Sequence, residues 1–554
     1  MKRCSVVLGC GLLAIVTSVL SCRSESPALV QKISLSQEWK GLPAPSDSSG
    51  TNLRNVNLLD SNSGAGTDTV VAPGSVAQPS TLEAVWASGV QKGTTQSIFA
   101  SIAQDKAGNT YAAGLLILGA ASQLGNKVSV HGLDVGINSV LVKYDASGKP
   151  VWARSPVEGN AGSQFYSVAV DASGNIYAAG RVEKGMVGFG GTARVEGLRG
   201  SGNLLLVKYD PRGQAQWARS LASSEGRSQF NSVAVDKAGY IYVAGSYWTE
   251  GGRPIDLSHQ GPRYVVRPDK VRGVEVAVLA KYDPSGSVMW ASLASRGGTG
   301  FDSVSVDGIG NIYVAGTLLN GEYALGNGVF LNWPNKTVSG MVVKYNASGE
   351  AIWARTLVGA SNNCVFRSIN VDRSGNAFVA GEFDGQDTYD FGNSVTLQGP
   401  SKGSNPLMIQ YDADGVPRWA KGLREGQGHF EHHSAAAGGG LAFLAGSIRV
   451  DAANDTYDFG IEPPVATGHF RGAMEFLVAY SSSGTPKWVQ MPLPLGLAQA
   501  HITSMLTTGN GELIMAGGIY GRGTLDLGNG VGVECIGSYS NLFVARYRVL
   551  ESTR

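Results

Sequence analysis

Charge of one sign is what this chain most conspicuously lacks. Its 44 Lys and Arg stand against 43 Asp and Glu, and only 16% of the 554 residues are charged. Such a balance gives no electrostatic footprint for nucleic acid, which is therefore not an expected partner. Cysteine is scarce as well. Of five, Cys4, Cys10 and Cys22 fall in the first 22 residues, leaving Cys364 and Cys535. Those two lie in different parts of the chain and neither has a His at metal-ligand spacing, so a disulfide framework and a cysteine metal site are not expected. The one sustained apolar run, residues 5–20, is shorter than a membrane-spanning helix needs. No Ser/His/Asp order and no cofactor motif is present, so neither an enzyme nor a cofactor is expected. Glycine, by contrast, is plentiful. The 77 glycines are about twice the usual share of roughly 7%. Spread without a collagen period, they imply many tight turns and many short strands.

The first residues read MKRCSVVLGCGLLAIVTSVLSC. Lys2 and Arg3, a short apolar core and a small residue before Cys22 have the order of a signal peptide over 1–21. The end, VLSC, resembles the lipobox of bacterial lipoproteins. That resemblance implies cleavage before Cys22, a lipid on its sulfur, and membrane attachment through the acyl chains. Arg23 follows where an Asp often retains such proteins at the inner membrane, which favours the outer membrane or the cell surface. Residues 22–80, with PAPSDSSGTN and DSNSGAGTD, have tether composition and a root-mean-square reach of about 40 Å.

From residue 81 to 554 the chain repeats itself. SVAVDASGNIYAAG starts at Ser167, SVAVDKAGYIYVAG at Ser232 and SVSVDGIGNIYVAG at Ser303. Each is followed by a variable excursion and then a segment such as LVKYDASGKPVWARS. A tryptophan closes each unit: Trp86, Trp152, Trp217, Trp290, Trp353, Trp419 and Trp488. Seven units of roughly 65 residues result. Each holds four short runs rich in Val, Ile, Tyr and Trp: a (SVAVD), b (NIYAAG), c (LVKYD) and d (VWARS). The turns D-x-x-G-N and D-x-x-G join a to b and c to d. Four antiparallel strands repeated radially predict an all-β fold, a seven-bladed β-propeller. The last unit lacks a d run, while VWAS at 85–88 is a spare one ahead of the first unit. The N-terminal strand is therefore expected to close the last blade.

These segments resemble the bacterial SBBP-type β-propeller repeats found in cell-surface proteins and lipoproteins, including those of spirochaetes. The D-x-x-G-x-x-x-W tail is also similar to the docking motif of quinoprotein repeats, one residue shorter. The family resemblance implies a fold and a place in the cell envelope. It implies no chemistry.

Function is expected where the units differ. The b–c excursions are long, and several carry a second small repeat, Gly-Asn preceded by Leu or Phe, which predicts an extra hairpin in each. Their non-repeating aromatic and basic residues form the candidate binding face: Trp248, Tyr264, Arg267, Trp333, His469, Phe470 and Tyr520. Glu431, His432 and His433 interrupt strand a of unit six, where other units have Ser, and are central-channel candidates. In a strand neighbouring side chains point to opposite faces, so His432 and His433 do not chelate together. Asp105, Asp171, Asp236, Asp307 and Asp372 end strand a in five units, and turn capping accounts for them without a metal. The expected function is a monomeric, lipid-anchored, non-enzymatic binding scaffold for a protein or glycan. The competing readings are an assembly scaffold for outer-membrane proteins and a propeller enzyme of unknown reaction.

Overall fold

The computed structural model describes residues 82–550 apart from short connecting segments, among them 259–264, 267–272, 467–471 and 492–498. The leader, Cys22 and the tether lie outside the described residues. Among those described, every regular element is a β-strand.

The turns form from residues close together in the chain. Asp171 Oδ1 accepts the backbone N–H of Ser173 and of Asn175, both at 2.9 Å, while Gly174 takes φ 82°. Its Oδ2 accepts the Asn175 amide at 2.8 Å and the Tyr177 hydroxyl at 3.0 Å. Asp105 and Asp307 repeat the whole arrangement, Asp236 repeats it through Tyr240 and Tyr242, and Asp372 through Asn376. The carboxylates that end strand a are thus used by the turn and, in four of the five units, by the first tyrosine of strand b; Phe378 stands in its place after Asp372.

The turns set up seven four-stranded antiparallel sheets. In unit two the order is a (Ser163–Val170), b (Ile176–Val182), c (Asn203–Tyr209) and d (Ala215–Arg219). In the last sheet a (Gln499–Thr507), b (Leu513–Tyr520) and c (Asn541–Val549) take their fourth strand from Leu82–Gly89. Leu82 lies opposite Val549 and Gly89 opposite Phe543. Strand a carries a bulge in each unit, and the glycine of the A-G pair in strand b faces it. A Cβ on Gly180 would stand 1.9 Å from the Gln164 carbonyl oxygen, so only glycine fits.

The repeated serine explains how one sheet meets the next. Strand a is the edge of its sheet, and alternate N–H groups on that edge have no ladder partner. The N–H of Val168 donates to Ser101 Oγ, Val233 to Ser167, Val304 to Ser232, Ile369 to Ser303, Ala435 to Ser368 and Met505 to Ser434, at 3.1–3.2 Å. Ile102 donates to Ser504 at 3.3 Å, which joins the first unit to the last.

The outer strands use W-A-R in the same way. Trp353 Nε1 donates to Ala413 O at 3.0 Å, and Arg355 Nε donates to Gly415 O at 2.7 Å, both in the c–d turn of the following unit. Lys344 of strand c reaches the Ala413 carbonyl at 2.9 Å. Trp217 with Arg219 and Lys208 grips Pro284 and Gly286 identically. Trp488 has no such turn to grip, because strands c and d of the last sheet come from opposite ends of the chain. There Arg548 pairs with Glu83 at 2.6 Å and Arg546 with Glu512.

The excursions fold back. Each unit has a second small hairpin, for example Gly321–Ala324 with Phe330–Trp333. Its Gly-Asn tip places Asn327 at φ 51°, and the Asn327 amide donates to Ala351 O at 3.0 Å, at the start of strand d. Asn126, Asn393 and Asn529 make the same bond to Pro150, Pro417 and Ala84. The hairpins lie along the outer strands, and their inner side chains, such as Leu331 and Trp333, join the core.

The turn aspartates make the fold acid-sensitive. The Ser147 hydroxyl, with the Ser147 and Lys149 N–H groups, holds the Asp145 carboxyl below its ordinary range against a smaller opposing effect of burial. At Asp105, Asp283 and Asp412 burial acts to raise the value, but the combined hydrogen bonds outweigh it. Depressed folded values mean stability that is present above the unfolded carboxylate value of about 3.9 and lost as pH falls through the lower folded one. Urea midpoints measured from pH 7 downward should therefore hold until about pH 4 and drop steeply below it. A midpoint unchanged at pH 3 would contradict this role for the turns.

Candidate functional site

The candidates expected from sequence scatter. Trp333 is 1% exposed, with its indole N–H donated to Thr337 O at 2.8 Å. It is a core residue of its hairpin, because the alternation of that strand turns Leu331 and Trp333 inward and Phe330 and Asn332 outward. Trp248 is half-buried, with the Arg227 guanidinium 4.6 Å from its ring centroid. Tyr264, Arg267, His469 and Phe470 lie outside the described residues. The backbone of 431–433 runs within the strand His429–Gly438, but the side chains of Glu431, His432 and His433 are outside what is described. The expected register there needs correcting. Ser434, opposite Ala445, holds the repeated serine position, just as Ser167 does opposite Ala179. The histidines precede that position rather than replace it. Cys364 and Cys535 are both buried, and they form no disulfide with each other. Among the described residues no three His, Cys, Asp or Glu side chains converge as metal ligands.

Tyr520 does take part in an unrepeated cluster. Its ring stacks on His501 at 5.0 Å between centroids, and His501 Nδ1 lies 3.4 Å from Glu475 Oε1. Glu475 Oε2 accepts the Ile502 N–H at 3.2 Å. Glu475 stands on strand c of unit six, and His501 and Tyr520 on strands a and b of unit seven. Burial, and secondarily the Glu475 charge, push the Tyr520 phenol well above its ordinary value.

Comparison with the other joints shows why this cluster exists. Ser139, Leu204, Ala277, Gly340, Pro406 and Leu542 hold the position of Glu475, so it is the single charge among seven. At four of those joints the backbone N–H at this position donates to a hydroxyl of the next unit: Ser163, Ser228, Thr299 or Ser97. Pro406 has no N–H, and Phe430 stands where its hydroxyl would be. Ala500 stands there opposite Glu475. A Cβ on Gly340 would come within 2.6 Å of the Phe366 ring that plugs that joint, whereas Leu204 and Leu542 pack in one cluster with Phe230 and Phe99. In unit seven the plug is Ile502, and the Glu475 side chain fits. Phe165 in unit two packs on Phe189 at 6.0 Å and Tyr209 at 6.5 Å. The counterparts in unit seven are Ile502, Leu527 and Tyr547, so two rings are lost. What remains is a small cleft open to solvent, lined by Met474, Glu475, Ile502, Met515 and Leu527 among others.

No family model matches the chain. An uncharacterized WD repeat-containing protein, L264, of Acanthamoeba polyphaga mimivirus is 26% identical over 181 residues, which are 31% of this chain and 13% of that one. Among solved structures, a protein of unknown function from Dyadobacter fermentans matches with TM-score 0.36 and 9% identity over 85% of this chain and all of that one. The phage phi92 endosialidase matches with TM-score 0.36 and 10% identity over 84% of this chain and 70% of that one. The chain is an all-β repeat protein of propeller-like character.

Proposed function

We propose that residues 81–554 form a closed seven-bladed β-propeller, carried on a lipid at Cys22, that acts in a bacterial envelope as a non-enzymatic binding module. Seven four-stranded sheets, the Ile102–Ser504 bond and the pairing of Leu82–Gly89 with Asn541–Val549 support the ring. One observation carries the binding role. The recurring Ser, Asp, Trp, Arg and Asn side chains are engaged in turns or between sheets, so recognition falls to residues that differ between units. Phe330 is the clearest of these. It is 68% exposed, where the equivalent hairpin positions hold Ser129, Thr396 and Gly532. An exposed aromatic on a rigid hairpin is the kind of anchor a protein or glycan partner uses. Trp248 with Arg227 is a second.

Two measurements test this reading. Cells expressing the full chain and fed labelled palmitate should label the protein, and Cys22→Ser should abolish the label. Equal labelling of the variant removes the anchor from the proposal. Affinity capture from envelope extract should retain a partner that Phe330→Ala or Trp248→Ala loses, with the melting temperature unchanged. Identical capture by both variants would overturn the assignment of the surface.

A further inference from the structure

We propose that the joint between units three and four is a binding site for a guanidinium group, taken up on the ring of Trp290 and the c–d turn of unit four. This goes beyond the surface recognition argued above and does not depend on it. The chain itself supplies the template three times. Arg154, Arg219 and Arg355, each two residues after its tryptophan, lay a guanidinium on that indole, with Cζ 5.1, 4.8 and 5.4 Å from the ring centroid. Each also clamps the following turn. Nε donates to the carbonyl of the turn glycine, Gly213, Gly286 or Gly415, at 2.7–2.9 Å. Nη2 donates to the carbonyl of the residue before that glycine at 2.9–3.2 Å. A planar fork that stacks and donates to two carbonyls is what a guanidinium offers and an ammonium does not.

Between units three and four the arginine is missing. Ser292, in strand d (Val288–Leu293), stands opposite Leu279 as Arg219 stands opposite Leu206, and a serine is too short to cover the ring or reach the turn. The rest of the clamp is present. Trp290 is half-buried, and its Nε1 donates to Ala347 O at 3.2 Å. Its ring lies against Gly349, where a Cβ would come within 2.9 Å. The carbonyls of Ser348 and Gly349 hold the places that the arginines engage in the other three turns. A second departure falls on the same turn. The residue after the turn glycine is Lys149, Gln214, Ser287, Val416 or Thr485 elsewhere and Glu350 here, the single acid among six, and it is exposed. Its carboxylate is a counter-charge for a cation seated on the preceding carbonyl. The joint of units seven and one is the contrast. Ser88 replaces the arginine there as well, but Lys149 follows the glycine and opposes a cation. An anionic ligand would meet two carbonyls and a carboxylate, so the arrangement selects positive charge.

The guanidinium belongs to an arginine side chain of a partner protein or to a small guanidinium compound, and the test has an arm for each. The full chain is labelled with 5-fluorotryptophan at its ten tryptophans, and the Trp290 signal is identified by its loss in Trp290→Phe. Nα-acetyl-arginine methylamide and methylguanidinium chloride are titrated at constant ionic strength, with Nα-acetyl-lysine methylamide beside them. The expected result is a saturable shift of the Trp290 signal with a Kd of about 1–10 mM, a range suited to so few heavy atoms. The lysine derivative should bind about fivefold more weakly, because it cannot span two carbonyls. Glu350→Gln should weaken binding by about threefold. Ser292→Arg, which rebuilds the clamp from within the chain, should abolish the shift and raise the melting temperature. Tighter binding of the arginine derivative than of methylguanidinium assigns the site to a protein partner, and equal or weaker binding assigns it to a small compound. An unmoved Trp290 signal, equal binding of the lysine derivative, or undiminished binding in Ser292→Arg each overturns the proposal.

Discussion

Deletion of residues 82–89 should lower the melting temperature of the full chain by roughly 10 °C. The strand contributes Leu82, Ala84 and Trp86 to the core, at 6%, 2% and 9% exposure. A buried Leu contributes about 2–3 kcal/mol and a buried Trp about 3–5. Seven residue pairs with Asn541–Val549, the Arg548–Glu83 ion pair and the Asn529 tie to Ala84 bring the loss to about 10 kcal/mol. The unfolding entropy of a unit this size is about 1 kcal/mol/K, which converts the loss to the stated shift. The deletion also bares the edge of an apolar strand, NLFVARYRV, that pairs readily with other chains. The variant should therefore aggregate as it melts. Calorimetry of both proteins is the measurement, and a melt within about 2 °C of the intact chain would show that the strand is dispensable.

Trp353→Ala should cost about 3–5 kcal/mol, read from urea midpoints. The indole is 7% exposed, lies 6.0 Å from Tyr313 and 6.5 Å from Tyr411, and covers Gly415 of the next unit, where a Cβ would come within 2.6 Å of the ring. Its removal opens a cavity between sheets and strips the Ala413 carbonyl of a donor. Trp488→Ala is the informative comparison. That ring is equally buried, at 8%, but has no c–d turn to grip. The difference between the two variants, about 1 kcal/mol, isolates the hydrogen bond to the turn. Equal costs would mean that the tryptophans act by volume alone. A cost under about 1 kcal/mol for Trp353→Ala would remove them from the set of structural staples.

Much of the scaffold could be read before any coordinates. D-x-x-G announced its turns because an Asx turn and a glycine at positive φ are local events, settled within five residues. The Gly-Asn repeat announced its hairpin for the same reason. The serine did not explain itself: nothing within one unit says that Ser167 accepts an N–H from Val233, 66 residues on. Trp333 was misjudged because an aromatic in a long excursion looks available until the hairpin folds back. Register misled in unit six, where Ser434, and not the histidines, continues the series. The Glu475–His501–Tyr520 cluster was missed because its members sit 19 to 45 residues apart in two units. Aligning the c strands position by position would have exposed Glu475 as the lone charge, but not the imidazole beside it.

By itself, then, the sequence determined the periodic part of this protein: the turns, the strand types and the count of units, all of which depend on neighbours in the chain. Only the tertiary structure decided which repeated side chains fasten one unit to the next, which aromatics are spent in the core, and where two departures from the repeat meet. Those outcomes depend on contacts between segments that are separate in the sequence, from Glu475 with His501 to Ser167 with Val233, and such a contact has no signature in either segment alone.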